Sequence, residues 1–391
     1  MKSLKLNLLA IACITFIATI AVQSCKKTST PPGPSGLSVT SGASDTIGKT
    51  YTLTIAGANL TSASVSTAAP GVTITGVSAT ATTITGTIAI GPSATPGPVT
   101  LTVTTSAGTS TVTITVVAIP LIGGYASSDS VGAANLIAYW PFDGNANETK
   151  GGMTPTVVGT ITYTPGVRGQ SYQGAAGAYA TYTPSAAFTT TSLPSYSVSV
   201  WYQLPATDPS YSSVTGQDTL TQGMFFLHGN SDWLLINEIE PFHADSIRIH
   251  AGFQDFATPS AAYHGFVPET FNTAAIGKWV HFVVTYNGGT STYITYQNGV
   301  ATGANTAFTS GKYVTPNPLF TDGSMATPLG NLGFAPQTPT TVVVGSWPDG
   351  LFGQDAAKST FRGQLDEMRV YNKALTQLEV TGLFLNGQAG R

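Results

Sequence analysis

The sequence predicts an all-β protein built from two β-sandwiches in series, with one short helix at the C-terminus. Two observations predict this fold class: apolar residues alternate with threonine and serine in many short runs, and glycine and proline recur between the runs. Charged residues make up 8% of the 391 residues and the formal net charge is −3. A chain without a basic stripe does not suit nucleic acid as its main partner.

Residues 1–24 have the features of a lipoprotein signal peptide. Lys2 and Lys5 precede an apolar run, residues 8–22, that is short for a membrane span. The run ends in the sequence VQSC, which resembles the bacterial lipobox, whose cysteine, here Cys25, receives the lipid. The resemblance implies a lipid-anchored protein of a Gram-negative cell envelope, at the outer membrane, and leaves the membrane face open. An ordinary secretory signal or an uncleaved anchor is the alternative.

A tether and a first β-domain follow the cysteine. Residues 25–35 are rich in Pro, Gly and Lys, which favours an extended, solvated segment. Residues 36–118 alternate apolar residues with threonine in runs such as YTLTI, TITGTIAI and TVTITVV, with turn signals between them. The stretch IAGANL and the later TPG turn resemble the IPT/TIG branch of immunoglobulin-like domains. That resemblance implies a spacer domain.

A second linker and one large β-domain fill the rest of the chain. Residues 119–134 are rich in Gly and Ser and predict the linker, and residues 135–391 supply the strands of the large domain. The pair Asn298-Gly299 predicts a tight hairpin, because both residues tolerate positive φ. Three tryptophans lie in strongly apolar runs and are predicted to be core: Trp140, Trp201 and Trp279.

The last residues predict a helix. Thr376 and Glu379 have the spacing of a capping box, in which each residue satisfies a backbone N–H of the first turn. The predicted apolar stripe of this helix consists of Leu375, Leu378 and Leu385, and the predicted end of the helix is Gly387.

Five motifs of the large domain occur in order: YWPFDGNANETKGG, GVRGQSYQG, GKWVHFVVTYNGG, YQNGV and FRGQLDEMRVYNKALTQLEV. Together they resemble the laminin-G-like domains of the concanavalin A-like lectin/glucanase superfamily, over residues 135–391. The resemblance implies a jelly roll of two antiparallel sheets. Carbohydrate binding is common in that family, adhesion also occurs, and some distant relatives hydrolyse glycans, so the fold alone does not decide the function.

A pair of aspartates suggests a structural calcium ion. Strand alternation puts Asp366 on one face with Met368 and Val370, and a carboxylate that faces a core needs a partner. In the resembled family, aspartates at the positions of Asp143 and Asp366 help to hold Ca²⁺, an ion that prefers oxygen ligands, and Asn145 could contribute. The alternative is that Asp143 caps a turn and Asp366 accepts backbone N–H bonds.

Three stretches combine aromatic rings with polar side chains, as carbohydrate sites do: HGNSDW (228–233), AAYHGF (261–266) and SWPDGLFGQD (346–355). Trp347 precedes Pro348 in a turn, and we expect it to be exposed. Trp233 begins an apolar strand, so a core position explains it equally well. The predicted ligand-binding residues are Trp347, Asp349, Trp233, His228, Tyr263 and His264.

Glu238 and Glu240 are the catalytic alternative, because residues two apart on a strand share one face. Retaining glycosidases need two carboxyls about 5 Å apart. The glucanase branch has a Glu-x-Asp-x-x-Glu strand, whereas this chain has Glu-Ile-Glu-Pro-Phe-His, and Pro241 is expected to interrupt the strand. The sequence therefore favours a non-catalytic protein that binds polysaccharide. Adhesion to a protein ligand is the first alternative, and glycoside hydrolysis is the second.

Overall fold

The computed structural model describes residues 30–189, 192–205, 222–243, 246–256, 262–264, 277–302, 330–348 and 359–391. The chain divides into two compact units, the first ending at Pro120 and the second running from Leu121 to Arg391. Both are built from strands, and one short α-helix lies near the C-terminus. The predicted all-β fold with a C-terminal helix is confirmed.

The first unit is a sandwich of two sheets. Its strands are β1 (Ser35–Ser41), β2 (Ser44–Thr46), β3 (Lys49–Ala58), β4 (Ser64–Ser66), β5 (Val72–Ala79), β6 (Thr83–Ile90), β7 (Gly97–Thr105) and β8 (Gly108–Val117). One sheet has the order β1-β3-β6-β5 and the other β2-β8-β7-β4. The apolar residues of each alternating run meet between the sheets: Leu53, Ile55, Ile84, Ile88, Leu101 and Val103. The threonines between them face outward, as the alternation predicts.

The described ranges of the second unit contain the following strands and one α-helix. They are β9 (Leu136–Trp140), β10 (Pro155–Val158), β11 (Thr162–Pro165), β12 (Gln170–Gln173), β13 (Tyr179–Tyr182), β14 (Ser192–Leu193), β15 (Ser195–Gln203), β16 (Gln222–His228), β17 (Trp233–His243), β18 (Ser246–Asp255), β19 (Ala262–His264), β20 (Val280–Asn287), β21 (Thr292–Gln297), β22 (Val300–Ala301), β23 (Leu332–Gly333), β24 (Thr341–Val344), β25 (Gln364–Tyr371) and α1 (Gln377–Gln388).

Two large sheets share the core of the second unit. Sheet A has the order β10-β13-β24-β16-β17-β18-β19, and sheet B has the order β11-β12-β25-β15-β20-β21-β22, with β9 also paired to β25. Alternate residues of both sheets fill the space between them, including Phe225, Leu227, Val342, Val344, Val198, Val200, Phe282 and Val284. Each sheet therefore has one face on the core and one outer face.

A β-bulge in β25 changes which residues face the core. Ser199 pairs with Arg369, but Trp201 pairs with Asp366, so β25 carries one extra residue at this point. Glu367 in the bulge has a φ of 52°. The alternation shifts by one residue, and Leu365 faces the core together with Met368 and Val370. The prediction that Asp366 shares one face with Met368 and Val370 is therefore wrong.

Helix α1 packs against the outer face of sheet B. The capping box is confirmed: Thr376 accepts the N–H of Glu379, and the Glu379 side chain accepts the N–H of Thr376. The helix continues past Gly387, which lies so close to sheet B that a Cβ there would be 2.7 Å from the ring of Trp201. Leu378 is 60% exposed, so the predicted stripe is wrong. The helix instead buries Val380 and Leu383.

Residues 121–134, predicted to belong to a linker, lie within the second unit. Ser128 Oγ donates a hydrogen bond to the carbonyl oxygen of Arg391 at 2.7 Å, and Asn386 Nδ2 donates to the carbonyl oxygen of Ile122 at 2.7 Å. Val131 is 1% exposed and packs beside α1. The segment is thus part of the packing of sheet B, and the unit begins before the predicted residue 135.

Two further local predictions have different outcomes. The hairpin between β21 and β22 is confirmed, with φ of 51° at Asn298 and 79° at Gly299. Trp140 and Trp201 are buried as predicted. Trp279 is only partly buried, immediately before β20, so its predicted core position is wrong.

Candidate functional site

The outer face of sheet A carries a cleft of about 240 Å³. Three adjacent strands, β13, β24 and β16, build it, and His228 stands directly opposite Thr341 in the β16–β24 pairing. The lining residues are Tyr179, Thr181, His228, Thr341, Val343, Trp347 and Pro348. This group, called the sheet A cleft below, brings together two of the predicted ligand-binding residues, His228 and Trp347.

Trp347 forms part of the base of the sheet A cleft and is not exposed. It is 8% exposed, and its ring centroid lies 4.9 Å from that of Phe226. Trp233 is 3% exposed and belongs to the same apolar cluster, with Ile236 and Val343. The expected exposure of Trp347 is wrong, because the turn after β24 folds its ring back onto the outer face of sheet A. For Trp233, the core position is the observed one.

His228 is half-buried at the end of β16. Burial lowers the pKa of its imidazole, and the nearby carboxylate of Asp232 opposes that effect. The ring is therefore neutral at pH 7, with one nitrogen that donates and one that accepts a hydrogen bond. Such a ring matches a hydroxyl group, which also donates and accepts.

The other predicted ligand-binding residues do not join the cleft. Tyr263 and His264 lie on β19 at the edge of sheet A, three strands from β16, and their side chains are outside the described part of the structure. Asp349 and Cys25 also fall outside the described residues.

Sequence reasoning missed three hydroxyl-bearing residues of the cleft: Tyr179, Thr181 and Thr341. Thr341 and Val343 alternate with the core residues Val342 and Val344, which is a visible signal for an outer face. That signal does not show which strands become neighbours.

Glu238, one of the catalytic alternatives, is 1% exposed and hydrogen-bonded to another side chain. Its Oε1 atom lies 2.6 Å from Nδ1 of His250 on the adjacent strand β18. The structure describes the backbone of Glu240 but not its side chain. Strand β17 continues through Pro241, with a register shift just after it, so the expected interruption is wrong. A carboxylate buried in this way is poorly placed to protonate a substrate.

Asp366 is fully buried and accepts backbone hydrogen bonds. Its Oδ2 atom accepts the N–H groups of Val167 at 2.7 Å and Arg168 at 3.0 Å, and its Oδ1 atom accepts the N–H of Glu367 at 2.9 Å. Burial raises the pKa of this carboxyl to about 8, the backbone donors oppose the rise, and the charge of Glu367 adds to it. Both oxygens of Asp366 are therefore occupied by donors from the protein.

The side chains of Asp143 and Asn145 also accept hydrogen bonds from backbone N–H groups. Asp143 Oδ1 accepts the N–H of Gln170 at 2.8 Å, and Asn145 Oδ1 accepts the N–H of Asn147 at 2.9 Å. Within the described ranges, no three His, Cys, Asp or Glu side chains come together as a metal site. These bonds are the ones that the alternative interpretation expects, with Asp143 at a turn and Asp366 on backbone N–H groups, and the calcium site stays a prediction.

A charged cluster surrounds the same loop. Arg168 forms two hydrogen bonds to Asp129, at 2.7 and 2.6 Å, and Arg369 donates to Asp129 at 2.9 Å and to Glu367 at 2.7 Å. Tyr139 donates to Glu367 at 2.6 Å, and the Arg369 guanidinium lies 4.2 Å from the centre of the Tyr139 ring. The buried charges are paired, as burial requires, so the cluster is explained by structure alone.

Comparison with known proteins gives similarity in fold alone. No protein-family profile and no curated protein matches the chain. The botulinum neurotoxin serotype G binding domain is 12% identical, with a TM-score of 0.40 over 64% of this chain and 50% of that chain. Trypanosoma rangeli sialidase in complex with 2,3-difluorosialic acid is 14% identical, with a TM-score of 0.39 over 74% and 42%. A heptameric SAP-like pentraxin from Limulus polyphemus is 18% identical, with a TM-score of 0.28 over 50% and 73%.

This chain spans half of the toxin binding domain and less than half of the sialidase. In the part of the chain that the structure describes, no helix has the length and apolar character that a membrane span requires.

Proposed function

We propose that this protein is a lipid-anchored envelope protein whose second unit binds polysaccharide without cleaving it. The observation that supports the proposal is the sheet A cleft. It places a neutral imidazole, three hydroxyl-bearing side chains and an apolar wall around one space of about 240 Å³. Ligand sites of this kind combine apolar surface with a few polar groups that fix orientation.

The two kinds of surface match the two kinds of group on a sugar. Val343, Trp347 and Pro348 offer apolar contact to C–H groups, and the polar residues of the cleft can exchange hydrogen bonds with sugar hydroxyls. The described residues that line the cleft include no carboxylate and no Lys or Arg, which favours a neutral ligand. The buried pairing of Glu238 with His250 supports binding over hydrolysis.

The test is affinity electrophoresis of the full-length protein. Gels are cast with mannan, laminarin, dextran, alginate or polygalacturonate, and the same samples are analysed for new reducing ends. We expect retardation in at least one gel and no new reducing ends. The variants His228→Ala and Thr341→Ala should lose retardation, because both residues line the cleft. Thr113→Ala, at an exposed position of β8 in the first unit, is the matched control and should be retarded like the wild type.

Other outcomes decide between the alternatives. Retardation with new reducing ends would favour a glycoside hydrolase and return attention to Glu238. No retardation on any gel would favour adhesion through a protein ligand. Retardation that survives both cleft substitutions would place binding elsewhere on the molecule.

The proposed anchor has a separate test. Cells that produce the protein are fed labelled palmitate, and incorporation is compared between the wild type and Cys25→Ala. Label in the wild type alone supports the lipid anchor, because Cys25 is the one cysteine beyond the predicted signal peptide. Equal label in both proteins, or none in either, contradicts it.

A further inference from the structure

The outer face of sheet B has a row of three glutamines beyond the area that α1 covers. Gln173 on β12 pairs with Gln364 on β25, and Gln364 also pairs with Gln203 on β15. The three residues thus stand side by side on three adjacent strands, and all three are half-buried. Directly paired side chains on one face lie about 5 Å apart, close enough to contact one ligand.

The neighbouring residues establish the face. Each glutamine is next in sequence to a residue of the shared core: Tyr172, Leu365 and Tyr202. Since successive residues of a strand point to opposite faces, the three glutamines point away from the core. The row is therefore on the opposite side of the sandwich from the sheet A cleft.

A tryptophan extends the row by one strand. Val280 pairs with Tyr202 at the start of β20, so continuing this register by one residue puts Trp279 opposite Gln203. Val280 belongs to the shared core, and Trp279 therefore lies on the outer face with the glutamines. Trp279 is half-buried, whereas the other four tryptophans are buried: Trp140, Trp201, Trp233 and Trp347.

A pocket of about 240 Å³ opens at this row. It is lined by Gln173, Gln203, Leu204, Pro205, Gly277, Gly363 and Gln364, none of which carries a charge. Gln364 Nε2 donates to Thr164 Oγ1, and Gln173 Nε2 donates to the carbonyl oxygen of Gly174 at 3.2 Å. These bonds hold two of the three amides in place before any ligand arrives, which reduces the entropy lost on binding.

We propose that Gln173, Gln364, Gln203 and Trp279 form a second binding site, for a neutral glycan chain. An amide both donates and accepts hydrogen bonds, as a sugar hydroxyl does, and none of the described residues that line the pocket offers a charge to an ionic ligand. The half-buried indole of Trp279 offers its accessible part as an apolar face to a sugar ring. Four adjacent strands span about 15 Å, which suits several linked sugars better than one.

This inference shares only the ligand class with the proposed function, because its residues are separate from the sheet A cleft. The test uses the full-length protein in gels cast with neutral polysaccharides (mannan, laminarin, dextran) or acidic ones (alginate, polygalacturonate). The variants are Gln203→Ala, Trp279→Ala and the double variant, with Thr113→Ala as the control. Melting temperatures are measured for all of them.

We expect a neutral polysaccharide to retard the wild type, and the double variant to bind it about fivefold more weakly or worse, which is the loss of roughly one hydrogen bond. Melting temperatures should stay unchanged for Gln203→Ala, whose side chain is half-exposed, and this variant decides the test if Trp279→Ala fails to fold. Three outcomes would overturn the inference. They are binding by both single variants equal to that of the wild type, retention by acidic polysaccharides alone, and no retention by any of the three neutral polysaccharides.

The variants of the two sites distinguish the two proposals. If His228→Ala abolishes retention and Gln203→Ala has no effect, the proposed function stands and the second site falls. If Gln203→Ala weakens retention and His228→Ala does not, the second site stands and the sheet A cleft is not a binding site.

Discussion

Asp143 and Asp366 hold the same loop between β11 and β12. Asp366 accepts the backbone N–H groups of Val167 and Arg168 in this loop. Asp143 accepts the backbone N–H of Gln170, the first residue of β12. One carboxylate follows the first strand of the second unit and the other lies in its last strand. The two ends of this unit are therefore joined through hydrogen bonds to a single turn.

The two carboxylates should differ in their effect on stability. Asp366→Ala should lower the free energy of unfolding by about 3 kcal/mol, because it leaves one buried and two partly buried N–H groups without an acceptor. Asp143→Ala removes one bond at an exposed position and should cost no more than about 1 kcal/mol. Urea unfolding of both variants checks this, and equal losses would contradict it.

Calcium should have little effect on the melting temperature. Oδ2 of Asp366 already accepts two backbone N–H groups and Oδ1 accepts one, so bidentate coordination of a calcium ion would have to displace a backbone donor. We expect the same melting temperature in calcium and in EDTA, measured by differential scanning fluorimetry. A clearly higher melting temperature in calcium than in EDTA, absent in Asp366→Asn, would show instead that the loop rearranges around an ion.

Trp347→Ala should destabilise the protein. Removing a buried tryptophan leaves a cavity under the sheet A cleft, and the expected loss is about 3 kcal/mol in the free energy of unfolding. Thr341→Ala, in the same cleft but only partly buried, should leave the melting temperature nearly unchanged. Loss of polysaccharide retention in Trp347→Ala without any loss of stability would refute the buried position.

His281 should make the protein less stable in acid. It is 1% exposed, its ring centroid lies 4.9 Å from that of Trp201 and 6.2 Å from that of Phe384, and its Nε2 bonds with Ser199 Oγ at 2.9 Å. Burial, with the nearby charge of Arg369, lowers the pKa of this imidazole from 6.5 to about 3. Below pH 6.5 the unfolded chain binds a proton that the folded chain does not, so stability is complete above pH 6.5 and is lost as the pH falls.

The expected slope from this one group is about 1.4 kcal/mol for each pH unit below 6.5. Urea unfolding at pH 7.0, 6.0 and 5.0 measures it. His281→Phe keeps an aromatic ring beside Trp201 and Phe384 and cannot titrate, so its unfolding free energy should fall less steeply over the same range. Parallel slopes for the variant and the wild type would mean that other groups cause the acid sensitivity.

The segment before β9 should behave as part of the second unit. Val131→Ala removes buried methyl groups beside α1 and should lower the free energy of unfolding by about 1.5 kcal/mol. Leu121→Ala, at a residue that is 65% exposed, is the matched control and should have almost no effect. A linker would tolerate both changes equally, so equal melting temperatures of the two variants would contradict the packing of this segment.

Local patterns predicted the parts of the fold that depend on a few neighbouring residues. The capping box of Thr376 and Glu379 and the hairpin at Asn298 and Gly299 need only their own turn. The bulge at Glu367 has no comparable signal, because it depends on how β25 pairs with β15. An alternating pattern read through a bulge assigns every later residue to the opposite face.

The structure brings only two of the predicted ligand-binding residues into one cleft, His228 and Trp347, for the same reason. Trp347 was expected to be exposed and is buried against the sheet that it follows. Trp279 was expected in the core and is only partly buried, immediately before β20. Burial at a strand end depends on elements distant in sequence. His228 was found from its own polar context, but its partner Thr341 became visible only when β16 and β24 were known to pair.

Sheets A and B share one core, so their outer faces point in opposite directions. A ligand on one face cannot reach the other, because packed sheets lie about 10 Å apart with side chains filling the space. If both faces bind, each molecule is bivalent and can bridge two polymer chains. Retention would then rise steeply with the density of the polymer, and the protein would act as a cross-link in a polysaccharide matrix.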